Sequence, residues 1–155
     1  MARKAMNNML EEVRAEQKFV LISVGGVEFG NVDSLVARDI AGCYISMLHE
    51  IKDIFPNAKV LCASVLPRRQ PLSEGINKEI KEFNDILTNE VPKISGDFAM
   101  FDTYSHFIKD MKIIPELFFD TVSKPLDDIH ISTYGKVVQG RLWGDTIFQS
   151  LNGPK

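Results

Sequence analysis

Phe19-Val20-Leu21-Ile22-Ser23-Val24, closed by Gly25-Gly26, is the stretch whose reading decides the fold. It is short and almost continuously apolar. A strand exposed on one face alternates apolar with polar residues, whereas one covered on both faces does not, so this run suits a parallel sheet. Two further β runs follow it. Lys59 to Leu66 ends at Pro67-Arg68-Arg69, and Phe98 to Thr103 is a weaker third.

The segments between them read as helices. Upstream, Met6, Met9, Leu10 and Val13 recur at helical spacing within residues 5–16. After the first strand, Asp33 and Ser34 offer capping chemistry for a long helix with the stripe Val36, Ile40, Cys43, Met47, Ile51 and Ile54, stopped by Phe55-Pro56-Asn57. Ile76, Ile80, Phe83, Leu87 and Val91 mark the next helix, which Pro92 to Asp97 is expected to break. Residues 105–126 are irregular in pattern, with a short helix through Phe107, Ile108, Met111 and Ile114 the expectation. Tyr134, Val138, Leu142, Ile147 and Leu151 outline a final helix, with Trp143 near the same face.

This alternation predicts an α/β three-layer sandwich with a small parallel sheet. Right-handed crossovers place the strand C-termini on one rim, which gathers Gly25 to Asn31, Pro67 to Gln70, Tyr104 to His106 and the turn before the last helix. Open α/β sheets hold ligands at such a rim.

At 155 residues, 45% hydrophobic and 25% charged, the chain suits one domain spanning 1–155. A net charge of -3 gives no broad attraction to nucleic acid or anionic membrane. The basic start runs into Asn7, Asn8 and Glu11 rather than an apolar block, and no apolar run approaches a bilayer span of about 20 residues. Cys43 and Cys62 are expected to be buried reduced thiols, which suits a cytoplasmic setting. His49, His106 and His130 lack metal-ligand spacing, so neither metal nor cofactor is expected.

The turn before the last helix carries the chemistry. In Leu126-Asp127-Asp128-Ile129-His130 an acid stands three residues before a histidine. At that spacing a carboxylate can accept the imidazole's hydrogen bond, fix its tautomer and leave the other nitrogen as a base. Asp128 is a nearby alternative partner. Arg68 and Arg69, also on the rim, could hold a carboxylate or phosphate.

Together, Val24-Gly25-Gly26-Val27-Glu28-Phe29-Gly30-Asn31, the Phe55-Pro56-Asn57 helix stop, Leu66-Pro67-Arg68, Ile76-Asn77 with Phe83-Asn84 seven residues on, and Asp127-x-x-His130 with Tyr134-Gly135 resemble the ordered blocks of the SGNH/GDSL hydrolases. The resemblance implies a flavodoxin-like fold and ester hydrolysis by a Ser-His-Asp triad, with His130 as base and Asp127 as its orienter. It implies substrate contacts at Gly25, Gly26, Val27 and Arg68. The family's serine block would precede residue 18, yet residues 1–17 hold neither serine nor glycine, and Val27 stands where the family has an oxyanion-binding asparagine. Val32-Asp33-Ser34-Leu35 imitates the missing block, but a helix cap is the expected role there. Ser64 and Ser132 are further candidate nucleophiles.

The resemblance therefore implies an SGNH-like domain without its N-terminal block, a non-catalytic remnant or binding module. The alternative is a serine esterase acting on small-molecule esters, completed by upstream sequence or another chain. An RNA-binding module is a further reading, which the acidic balance does not favour. Without the preceding strand, Phe19–Val24 would form a sheet edge to be covered by the N-terminal helix, a partner chain or a second copy.

Overall fold

The computed structural model describes residues 18–23, 29, 36–119 and 127–152. Three parallel strands form its sheet in the order β1 (Phe19–Ile22), β2 (Lys59–Ala63), β3 (Phe98–Phe101). β2 is central because its side chains are apolar on both sides. Val60 and Cys62 are buried on one face, while Leu61 and Ala63 alternate with them and are equally buried on the other. Among the described residues β1 is an outer strand, with Phe19, Val20 and Leu21 half-buried.

Helices α1 (Ala37–Ile54) and α2 (Gly75–Ile94) cover the Val60 and Cys62 face. Ile40, Tyr44, Leu48 and Ile51 of α1 meet Ile80, Phe83, Leu87 and Val91 of α2. Phe83 receives the rings of Phe29 and Tyr44 edge-on at 5.3 and 5.6 Å. Helix α3 (Thr133–Asn152) lies along the other face, antiparallel to β2. Val138 packs near Leu66 beyond the end of β2, and Lys59 at its start donates to the Ser150 carbonyl at 3.2 Å. The result is an α/β layered domain with a small parallel sheet, as the strand pattern predicts.

Several local expectations are corrected. The buried stripe of α1 is Ala37, Ile40, Ala41, Tyr44, Leu48 and Ile51, so Cys43 is exposed and Val36 is 51% exposed. The described N-cap residue of α1, Val36, has no capping side chain, and Glu79 of α2 accepts the Ala37 N–H at 2.7 Å. Helix α2 continues through Pro92 to Ile94. Residues 108–113 form a hairpin rather than a helix, β4 (Ile108–Lys109) with β5 (Lys112–Ile113). Its two turn residues, Asp110 and Met111, have φ of 50° and 59°, the signature of a type I′ turn. On α3 only Gly135 is buried; Val138, Leu142 and Ile147 are half-buried, and Tyr134 and Leu151 are exposed. The expected helix at 5–16, Val24, and the Asp33-Ser34 cap lie outside the described residues. Among the described residues no helix is long and apolar enough to cross a membrane.

Burial pushes the Cys62 thiol up to about 12, an effect the Tyr44 hydrogen bond only partly opposes. Native protein treated with a maleimide at neutral pH is expected to gain one adduct, at Cys43, and a second at Cys62 only in denaturant. Intact-mass analysis before and after unfolding checks this, and rapid native labelling of both thiols would contradict it.

Candidate active site

The chain leaving β2 at its C-terminal end stays extended and crosses the rim. Two buried amides of α2 hold it there. Val65 N–H donates to Asn84 Oδ1 at 2.8 Å, and Asn84 Nδ2 returns a bond to the Val65 carbonyl at 2.9 Å. Arg68 N–H donates to Asn77 Oδ1 at 2.8 Å, and Asn77 Nδ2 donates to the Arg68 and Gln70 carbonyls at 3.1 and 3.0 Å.

Residues 68–70, so placed, grip the closing turn. Arg69 N–H donates to the Asp128 carbonyl at 2.9 Å, Gln70 Nε2 donates to the Asp128 carboxylate, and Arg68 Nη1 stands 3.7 Å from Asp128 Oδ1. The Arg68 guanidinium also donates to the Phe29 carbonyl, and that of Arg69 to the Phe119 carbonyl. Arg68, a candidate substrate contact, is 8% exposed and joins three rim segments. Gly25, Gly26 and Val27 lie outside the described residues.

On its other side the turn is stitched to residues 117–119. Phe118 and Ile131 form an antiparallel bridge, Ser132 N–H donates to the Leu117 carbonyl at 2.8 Å, and Phe119 N–H to that of His130 at 3.3 Å. The Ser132 hydroxyl donates to the Glu116 carbonyl at 2.7 Å and accepts the Gly135 N–H at 3.1 Å, capping α3. Gly135 is needed here because a β-carbon would collide with the Leu117 carbonyl oxygen.

Between these two anchors the structure brings Asp127 and His130 together. His130 Nδ1 lies 3.0 Å from both Asp127 carboxylate oxygens. Asp127 Oδ1 also accepts the backbone N–H of His130 at 3.0 Å and of Ile129 at 3.3 Å. Bonds from the His130 N–H, then from its imidazole, hold the Asp127 carboxyl below its ordinary value. A neutral imidazole facing a carboxylate carries its proton on Nδ1, so Nε2 is left as the acceptor. The His130 side chain is 71% exposed and its ring centroid is 6.2 Å from that of Phe119. Asp128 is separated from this pairing by its bonds to Arg68 and Gln70.

The candidate serines have other tasks. Ser64 is buried, and its hydroxyl accepts the Thr103 and Tyr104 N–H groups at 2.9 and 2.8 Å, closing the end of β3. Ser132 is the α3 cap. Ser34 lies outside the described residues. No described serine is hydrogen-bonded to His130. Sequence reasoning placed Gln70 on the rim without a task and missed Phe119. It quoted Asn77 and Asn84 without their task, although two amides seven residues apart on a buried helix face are a readable signal.

No protein-family model matches the sequence, and no curated protein does. Solved structures do match its fold. A protein provisionally described as a platelet activating factor, from Streptococcus pneumonia, superposes with a TM-score of 0.67 at 12% identity, over 83% of this chain and 59% of its own. A carbohydrate esterase family 3 protein from Talaromyces cellulolyticus gives 0.66 at 15%, over 99% and 67%. A protein provisionally described as an acylhydrolase, from Bacteroides fragilis, gives 0.66 at 19%, over 86% and 62%. The fold is therefore acylhydrolase-like, and this chain spans roughly three fifths to two thirds of the length of these structures.

Asn77→Ala orphans buried backbone groups at Arg68 and Gln70. Each of the three groups costs roughly 1–3 kcal/mol when unsatisfied, so a loss of at least about 3 kcal/mol in unfolding free energy is expected by denaturant titration. A loss within error would show that the bonds are not formed in solution. A second test concerns pH. A carboxyl whose folded value lies below its unfolded one stabilises the fold above the unfolded value, and that contribution fades as pH falls through the folded value. NMR titration of the Asp127 carboxyl is expected to give a midpoint below about 3.9, with the His130 amide signal following it. A midpoint at or above that value would contradict the turn geometry.

Proposed function

We propose that this chain is an SGNH-hydrolase-like domain that keeps the acid–base pair of an ester hydrolase but does not turn over esters by itself, acting instead as a binding domain for an acyl-type ligand. The pairing of His130 Nδ1 with Asp127, leaving Nε2 facing outward, carries the link to ester chemistry. The esterase and acylhydrolase descriptions of structures with this fold support the same substrate class. What argues against turnover is the remaining machinery. Ser64 and Ser132 are engaged as backbone acceptors, and Val27 offers no donor at the position that the resemblance assigns to oxyanion binding. Losing one oxyanion donor costs about 10²–10³ in turnover, and losing a triad serine on the order of 10⁶.

The exposed, acid-oriented imidazole favours a second reading, a serine esterase whose nucleophile comes from sequence outside this chain. A serine hydroxyl placed at Nε2 would pass its proton there as its oxygen attacked the ester carbonyl. Asp127 would stabilise the imidazolium, which would then protonate the departing alkoxide. Water would release the acyl group by the same route.

Purified chain is expected to hydrolyse short p-nitrophenyl esters no faster than its His130→Ala variant, and to resist labelling by a serine-directed phosphonate. Turnover that His130→Ala abolishes would replace the first reading with the second.

A further inference from the structure

Two clefts meet at Arg69 and Pro115, which line both. One, of about 640 Å³, reaches Phe118, Phe119 and Tyr134, and so lies beside the ring that neighbours His130. The other, of about 730 Å³, runs between the segment after Gln70 and the β4–β5 hairpin. Both volumes fall in the range of about 300–1,000 Å³ typical of small-molecule sites.

The second cleft has a distinct chemistry. Pro71, Leu72, Met111 and Ile113 supply an apolar wall. Its charged lining residues are Arg69 and Lys112, both cationic, and no acid lines it among the described residues. The hairpin tip gives an independent sign. Met111 is 84% exposed and sits at φ 59°, a left-handed conformation in which a glycine or asparagine would serve the turn better. A large apolar side chain is thus held in water at an unfavourable backbone position, on the edge of an apolar cleft.

We propose that these joined clefts bind a free, monomeric anionic amphiphile with a medium or long aliphatic chain. Its head group is held by Lys112 and Arg69, and its chain lies on Leu72, Met111, Ile113 and Pro115. Apolar surface alone would accept any oily ligand; the cationic lining of the second cleft selects a carboxylate or a similar anion there, since Glu116 lines only the first. For the choice of an aliphatic ligand the inference rests on the reading of an acyl-binding domain, but binding requires no turnover.

Calorimetric titration of the full chain with hexanoate, octanoate and decanoate, below their micelle concentrations, tests the inference. Affinity is expected to rise several-fold with each two-carbon step, since each fully buried methylene is worth about fourfold. Decanoate should bind more tightly than decanol. Lys112→Gln should remove that preference, and Met111→Asp should weaken both ligands; each replaces an exposed side chain, and unchanged thermal unfolding would verify the fold. His49→Ala, on the exposed side of α1 and lining neither cleft, should leave decanoate binding intact. Absence of saturable decanoate binding, affinity independent of chain length, or indifference to Met111→Asp would overturn the inference. So would binding to anionic vesicles alone, which would mark the hairpin as a membrane contact. Ester turnover without decanoate binding would remove this inference while establishing the catalytic reading.

Discussion

The side-chain amides of Asn77 and Asn84 stand in for a neighbouring strand. Among the described residues the strand ladder of β2 ends at the Ser64 N–H bond to Phe101, and the buried backbone groups that follow must still be paired. A carboxamide presents a C=O and an N–H side by side, as a peptide does, so it can bond both groups of one residue. The spacing matches. Seven residues of helix advance about 10 Å, and three residues of extended chain cover about the same distance. Asn77 and Asn84 are seven apart; the residues they hold, Arg68 and Val65, are three apart. A helix and a strand can therefore run in register without any sheet between them.

The rest of the rim depends on that register. It sets the direction in which Arg68, Arg69 and Gln70 leave the backbone, and all three reach the Asp127–His130 turn or the residues beside it. Asp128 is the acid they hold, which assigns the two adjacent acids to different tasks. From the opposite side, residues 117–119 bind Ile131, Ser132 and His130 by backbone bonds, and the approach of Leu117 to Gly135 sets how α3 starts. The imidazole thus stands on backbone contacts from two directions, although its own ring is largely in water.

The parallel sheet and its rim are legible because a doubly covered strand leaves an unmistakable apolar run, and a helix–strand alternation admits few topologies. The phase of α1 is not. Hydropathy favours large residues, so the stripe was read through Cys43 and Met47, whereas the packed face includes Ala37 and Ala41, whose small size lets α2 approach. The reach of Glu79 to the Ala37 N–H adds a tertiary cap that no local pattern announces. Pro92 falls in the last turn of α2, where it forfeits little of the helix's bonding, and buried Val91 keeps that turn in place. The hairpin at 108–113 was hidden because Asp-Met replaces the residues that normally betray a type I′ turn. Arg68 reads as a rim cation from its position; the tertiary structure adds that its guanidinium meets the Phe29 carbonyl and the Asp128 carboxylate.

The Asp127–His130 pair is weaker testimony to catalysis than its geometry suggests, and the reason lies in Asp127. Its carboxylate closes the turn through two backbone N–H groups before it meets the imidazole. Such an Asx-type turn would hold an aspartate here whether or not chemistry took place. His130 is different. Its side chain is 71% exposed, and its imidazole hydrogen bonds are to Asp127, whose backbone bonds do not depend on that ring. Folding therefore explains the acid at this turn, and what its hydrogen bonds leave without a structural reason is the imidazole of His130.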